Sequence, residues 1–170
     1  MSGRRRTLGT LEKARIMEEP PAFLKQGNKN MKPGSSNWAG IKFENKFADH
    51  MAAIYGDRAI HGPWIEYFDE RGRGYCQPDV VLLASGDEPL IVFECKLTFR
   101  ARKAGAKMIN MYGPVAEYIW GSRPLLVQVC RFLRPSAKHT LIVKDIDDIW
   151  ACGVKSNDDV GIITWNWKPF

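Results

Sequence analysis

QPDVVLLASGDEPLIVFECK, the stretch from Gln77 to Lys96, decides how the rest of the chain is read. Val80 to Leu83 and Leu90 to Phe93 are two short apolar runs separated by the turn sequence Ser85-Gly86-Asp87-Glu88-Pro89,. Runs this apolar belong to a sheet buried on both faces. Asp79 nevertheless opens the first run, and Glu94 and Lys96 close the second. Alternation puts Glu94 and Lys96 on one face and Cys95 on the other, and an antiparallel hairpin brings Asp79 beside that pair. Unpaired charges are costly beside such runs. A divalent cation held by two carboxylates, with an ammonium close by, gives the cluster a purpose.

The flanking segments supply an α/β order. Phe43, Phe47, Met51 and Ile54 fall at helical spacing within Trp38 to Tyr55, and Gly56 suits the C-cap,. Glu44 sits at the margin of that stripe, where it either looks into the domain or pairs with Lys46 at the surface. His61-Gly62-Pro63 breaks the chain, and His61 is read as a loop residue. Pro63 to Phe68 is an aromatic strand, and Asp69 to Gly74 a hairpin turn. Tyr75 to Leu83 and Glu88 to Leu97 follow as the second and third strands of an antiparallel set.

A helix is expected from about Ala101 to Trp120, kinked at Gly113-Pro114. Leu125 to Leu133 then completes a mixed sheet. Thr140 to Val143 is a further short run, and Asp145 to Trp150 a short helix. Val160 to Trp167 reads as a strand with Ile163, Trp165 and Trp167 on one face,. That stripe is assigned to packing rather than to base stacking. Asp147-Asp148 and Asp158-Asp159 are assigned to solvated caps, and a short helix is expected over Thr10 to Glu19.

The 170 residues suit one domain, residues 38–170, behind a basic arm at 1–37,. No run approaches the length of a membrane span. The four cysteines are far apart and only three histidines are present, so a structural zinc site is not expected,. Reduced thiols point to the cytoplasm.

The net charge of +6 is unevenly placed. Residues 1–34 hold eight Lys/Arg against three Glu, and the remaining 136 hold seventeen against sixteen. Arg4, Arg5 and Arg6 form one basic cluster, and Arg100, Arg102, Lys103 and Lys107 another at the start of the helix after Lys96. Both are candidate phosphate contacts, weighed against the ordinary role of a charge run as a solvated face.

Pro78-Asp79, fourteen residues, then Glu94-Cys95-Lys96 resembles the signature of the PD-(D/E)XK nuclease superfamily, which includes restriction endonucleases, junction resolvases and recombination exonucleases. The order helix, three strands, helix, strand from Trp38 to Leu133 is similar to the core of that family. The resemblance implies a restriction-endonuclease-like α/β fold, with a central mixed sheet flanked by helices. It implies that Asp79, Glu94 and the backbone carbonyl of Cys95 hold Mg²⁺ or Mn²⁺, with Glu44 adding a carboxylate on the preceding helix. Lys96 then acts on the attacking water. Met111-Tyr112-Gly113-Pro114 is similar to the Tyr-bearing helix of some members, so Tyr112 is an accessory candidate. Lys107 stands about where those members often carry Gln.

The activity implied is a metal-dependent DNA endonuclease, with junctions or branched DNA among its substrates and RNA as an alternative. A recombination-type exonuclease of the same fold and a non-catalytic nucleic-acid-binding or assembly protein are the competing readings. Both a monomer and a homodimer are compatible with the sequence.

Overall fold

In a computed structural model, the chain runs β1 (Leu11–Ile16), α1 (Ser36–Tyr55), β2 (Ala59–His61), β3 (Ile65–Asp69), β4 (Gly72–Cys76), β5 (Val80–Leu82), β6 (Ile91–Thr98), α2 (Ala101–Lys107), a π-helical turn (Met108–Tyr112), α3 (Gly113–Trp120), β7 (Leu125–Phe132), β8 (Leu141–Val143), α4 (Ile146–Lys155) and β9 (Ile163–Asn166). The structure describes residues 8–22, 34–99, 101–134, 141–155 and 161–169, and of 101–103 and 152–155 the backbone alone. A six-stranded mixed sheet, ordered β2-β5-β6-β7-β9-β8, carries helices on both faces. The fold is α/β. Among the described residues, no helix is long and apolar enough to cross a membrane.

The hairpin expected from the two apolar runs is β5 and β6, antiparallel, with Val80 opposite Phe93 and Leu82 opposite Ile91. Alternation divides their side chains between two cores. Val80, Leu82, Ile91, Phe93 and Cys95 face α1, whereas Val81 and Val92 face the π turn and α3,. Ser35 caps α1 by accepting the Trp38 N–H,. From α1, Phe47 places its ring within 5.5 Å of Phe93, Trp165 and Trp167, all by ring centroids. Burying a side chain of that size contributes about 1.5–3 kcal/mol. Trp165 and Trp167 are thus core residues, as their alternation indicated.

Three expectations are corrected. The helix expected over Thr10 to Glu19 is strand β1, which pairs antiparallel with β3. A bulge between Leu11 and Lys13 shifts the phase of the strand, so half-buried Leu11 and Ala14 acquire a helix-like spacing of three,. Part of the segment assigned to an arm is therefore built into a three-stranded sheet, β1-β3-β4; residues 1–7 and 23–33 lie outside the described residues.

The strand expected from Tyr75 to Leu83 is two strands in two sheets, β4 and β5, interrupted at Gln77-Pro78-Asp79. Pro78 has no N–H to give to a ladder, so the pairing stops there. Gly62 holds the break from the side: its N–H donates to the Asp79 carbonyl at 2.8 Å, and its φ of 55° is one that glycine adopts at little cost,.

The kink expected at Gly113-Pro114 is instead a π turn just before it, where the Gly113 N–H donates to Met108 O. A widened turn relieves the clash that the Pro114 ring would otherwise make with the preceding turn.

The small sheet is tied across its three strands by Glu66, which is buried on β3. Its carboxylate meets Arg15 of β1 at 2.7 Å and Arg73 of β4 at 3.2 Å. The Arg15 hydrogen bond, working against burial, holds the Glu66 carboxyl below its ordinary pKa. A depressed acid stabilises the fold above its unfolded pKa, about 4.3, and loses that contribution as the pH falls through the lower folded value. Thermal melts should therefore show Glu66→Gln less stable than the wild type at pH 7. The gap should close as the pH is lowered towards 3. A gap independent of pH would mean that the arginines do not stabilise the charged form.

Candidate functional site

The site is assembled where the β4–β5 break meets the end of β6. The register that sets Val80 opposite Phe93 brings Asp79 level with Glu94. Asp79 Oδ2 accepts the Cys95 N–H at 2.6 Å, so the carboxylate is fixed by the backbone of the neighbouring strand. Glu94 follows Val92 on the face covered by the helices,, and it is 1 % exposed. Its Oε1 meets Lys96 Nζ at 2.6 Å and Lys107 Nζ, from α2, at 3.4 Å. Its Oε2 is buried with no hydrogen-bond partner among the described residues. The Lys96 side chain is 36 % exposed, whereas the carboxylate it serves is sealed.

Glu44 comes to the same region from α1, with its Oε1 3.5 Å from Nε2 of His61 at the end of β2. Its charge acts on Asp79 and Cys95, which places all three in one electrostatic cluster. Burial, then the charges of Glu94 and Glu44, push Asp79 up to about 8, against the opposing pull of Lys96 and the Cys95 N–H. For Lys96, burial works to lower the pKa, but the charge and hydrogen bond of Glu94, with Asp79 behind them, outweigh it and raise it. Lys96 is thus an ammonium while it rests on Glu94. The Cys95 thiol is pushed well up by burial and by Asp79, and serves as core rather than nucleophile,.

These groups fit a hard divalent cation. Glu94 Oε2 is a buried carboxylate oxygen without a hydrogen-bond partner among the described residues, and burial, with the charges of Glu94 and Glu44, raises the pKa of Asp79 beside it,. Oxygen donors alone favour Mg²⁺ or Mn²⁺ over zinc. Among the described residues, no three His, Cys, Asp or Glu groups form a ready cage. The fit therefore rests on the Asp79–Glu94 pair, with Glu44 near by and the Cys95 carbonyl as the further oxygen that the resemblance assigns.

The other candidates divide. Lys107, a candidate phosphate contact, reaches Glu94 Oε1 at 3.4 Å. Tyr112 is buried; its hydroxyl donates to Gln77 O at 2.8 Å and its ring lies 4.7 Å beneath Lys107 Nζ. It thus braces the break that precedes Asp79. Arg4, Arg5, Arg6 and Arg100 lie outside the described residues, as do the side chains of Arg102 and Lys103.

Sequence reasoning missed two neighbours. His61 is the terminal residue of β2, paired with Val80, and no local signal distinguished it from a loop residue. Gln128 is the Cα partner of Glu94 across the parallel β6–β7 pair and is buried. Its signal was available: it is the single polar residue in the run LLVQVC.

No protein-family model and no curated protein matches the chain. Among solved structures, the chain is similar to the crystal structure of protein VC1899 from Vibrio cholerae, with a TM-score of 0.40 and 15 % sequence identity. The match covers 75 % of this chain and 29 % of that one, so this chain spans less than a third of that protein.

The raised Asp79 pKa carries a test in the metal-free protein. An acid whose folded pKa lies above its unfolded value stabilises the fold below the unfolded pKa, about 3.9, and that contribution is lost as the pH rises through the folded one. Wild-type stability should therefore fall between about pH 4 and the folded value of about 8,. Asp79→Asn, which keeps an oxygen for the Cys95 N–H, should flatten that fall. Parallel melting curves for the two proteins would contradict the crowding of charge described above.

Proposed function

We propose that the chain is a metal-dependent nuclease of the PD-(D/E)XK kind that hydrolyses phosphodiester bonds in DNA. One observation carries the reading. Glu94, buried on β6, presents an oxygen without a hydrogen-bond partner beside an Asp79 fixed by the Cys95 N–H, with the Lys96 ammonium 2.6 Å from the other oxygen of Glu94. A purely structural ion pair would be expected to satisfy both oxygens.

In this reading Asp79 and Glu94 hold Mg²⁺ or Mn²⁺, with the Cys95 carbonyl and Glu44 completing the oxygen set. When bound, such an ion lowers the pKa of a water and neutralises charge that develops on phosphate oxygens. The chain's own residues do the rest. The Cys95 N–H keeps Asp79 in place through the reaction, so no reorganisation is required at that carboxylate. Lys96, the exposed end of the cluster, orients the attacking water and the phosphate. Burial of Glu94 keeps bulk water from competing for its oxygens. Structure-selective cutting of junction or branched DNA is the preference we assign to this small basic chain, of net charge +6. Exonuclease action and RNA as substrate are the variants to compare.

A second reading has an observation of its own. Glu94 is already closed onto two lysines, as in a charge cluster retained for the fold. In that case the chain binds or assembles on nucleic acid without cutting it.

The two readings separate on purified protein. Cleavage of supercoiled, linear and branched DNA should require Mg²⁺ or Mn²⁺ and stop with chelator. Ca²⁺ should support binding better than cutting, because it accepts looser coordination. Asp79→Asn and Glu94→Gln should abolish cutting with the fold retained. Lys96→Ala should lower single-turnover cleavage by about 10²-fold or more. Undiminished cleavage by either carboxylate variant would overturn the nuclease reading. Absence of cleavage by the wild type on every substrate, with nucleic acid still bound, would establish the second.

A further inference from the structure

Two ammonium groups converge on one oxygen of Glu94 while its other oxygen has no hydrogen-bond partner among the described residues. One of them would neutralise Glu94 alone; Asp79 and Glu44 are the other carboxylates of the cluster. The two lysines are also held differently. Lys96 projects from β6 beside its partner, and its Nζ is the closer of the two to Glu94 Oε1, at 2.6 Å against 3.4 Å. Lys107 comes from α2, and its Nζ lies 4.7 Å from the centroid of the Tyr112 ring. That ring is buried and pinned through its hydroxyl to the Gln77 carbonyl, beside the break that carries Asp79.

The stacking depends on the π turn. Residues five apart on a regular α-helix point about 140° away from each other. A π turn closes its hydrogen bond over five residues, so Lys107 and Tyr112 fall on the same side,. The helix thus departs from regular geometry at the place where the departure sets a cation over an aromatic face and against Glu94.

We propose that Lys107 is a positioning residue of the site, the resident counter-cation of Glu94. By holding Oε1 it keeps Oε2 turned to the position of the divalent ion. It also lets Lys96 leave Glu94 for the attacking water without stranding a buried charge. The inference rests on the nuclease reading, and it gives the two lysines separate duties: Lys96 touches the reacting groups, and Lys107 acts through Glu94.

A metal-free and a kinetic measurement test it. In the absence of metal and DNA, Lys96→Met and Lys107→Met each leave Glu94 one ammonium, so each alone should lower the melting temperature only modestly. The double variant leaves the carboxylate buried and alone, and its loss should exceed the sum of the single losses. A double variant that fails to fold counts as the same result provided that adding Glu94→Gln restores folding. Strictly additive losses would overturn the sharing of Glu94.

With Mg²⁺ and DNA, Lys107→Met should lower kcat by about 10-fold to 10²-fold, the range for a misplaced group, with KM little changed. Lys107→Arg should recover most of the rate. Tyr112→Phe, which keeps the ring, should cut better than Tyr112→Leu, which removes it. A rise in KM at unchanged kcat would overturn the positioning role and make Lys107 a phosphate contact. Full turnover by Lys107→Met would overturn the inference and leave the nuclease reading intact, whereas an inactive wild type would fail that reading first.

Discussion

A single hydrogen bond from the Cys95 N–H to the Asp79 carboxylate, 2.6 Å long, joins the scaffold to the candidate site. It connects the residue before β5 to the strand that carries Glu94 and Lys96. Pro78 ends the pairing of one sheet, and the register of β5 on β6 begins the other, so Asp79 stands in the gap between them. The carboxylate is fixed because the neighbouring strand supplies a donor.

Around that bond the two faces of the large sheet have separate tasks. The α1 face is apolar and aromatic, with Phe47 among Phe93, Trp165 and Trp167, and it supplies the rigidity. The opposite face carries the polar row of Glu94 and Gln128 across the parallel β6–β7 pair, continued by buried Thr164 on β9. Glu44 reaches the site from the apolar side, at the margin of its helix, and completes the crowding that raises Asp79.

Much of this was legible in the sequence, for reasons that can be named. Period-two alternation fixed which of Glu94, Cys95 and Lys96 share a face, and the turn between the runs fixed Asp79 beside them. The stripe Phe43–Phe47–Met51 and the alternation of Trp165 and Trp167 located the main core. The errors have equally local causes. A bulge gave β1 a helical spacing, and the strand proved to be a neighbour of β3 only through a pairing fifty residues away. His61 carried no sign of its position because β2 is three residues long and is defined wholly by its partner. Lys107 looked like part of a charge run, and the π turn that redirects it leaves no pattern in composition. Local chemistry was readable; long-range partnership and helical phase were not.

The order of the large sheet bears on how the molecule can be made. β9 follows β8 in the chain yet lies inside it, between β7 and β8. A chain that emerges residue by residue produces β8 before β9, the strand with which it pairs among the described residues. Extension of the sheet beyond β7 must therefore wait for β9, and with it the seating of Trp165 against Phe47. Pairings of such separation are slow to form because loop closure comes before any reward. Until then the α1 face has Phe93 for Phe47 to pack against but lacks the two tryptophan rings that complete its cover.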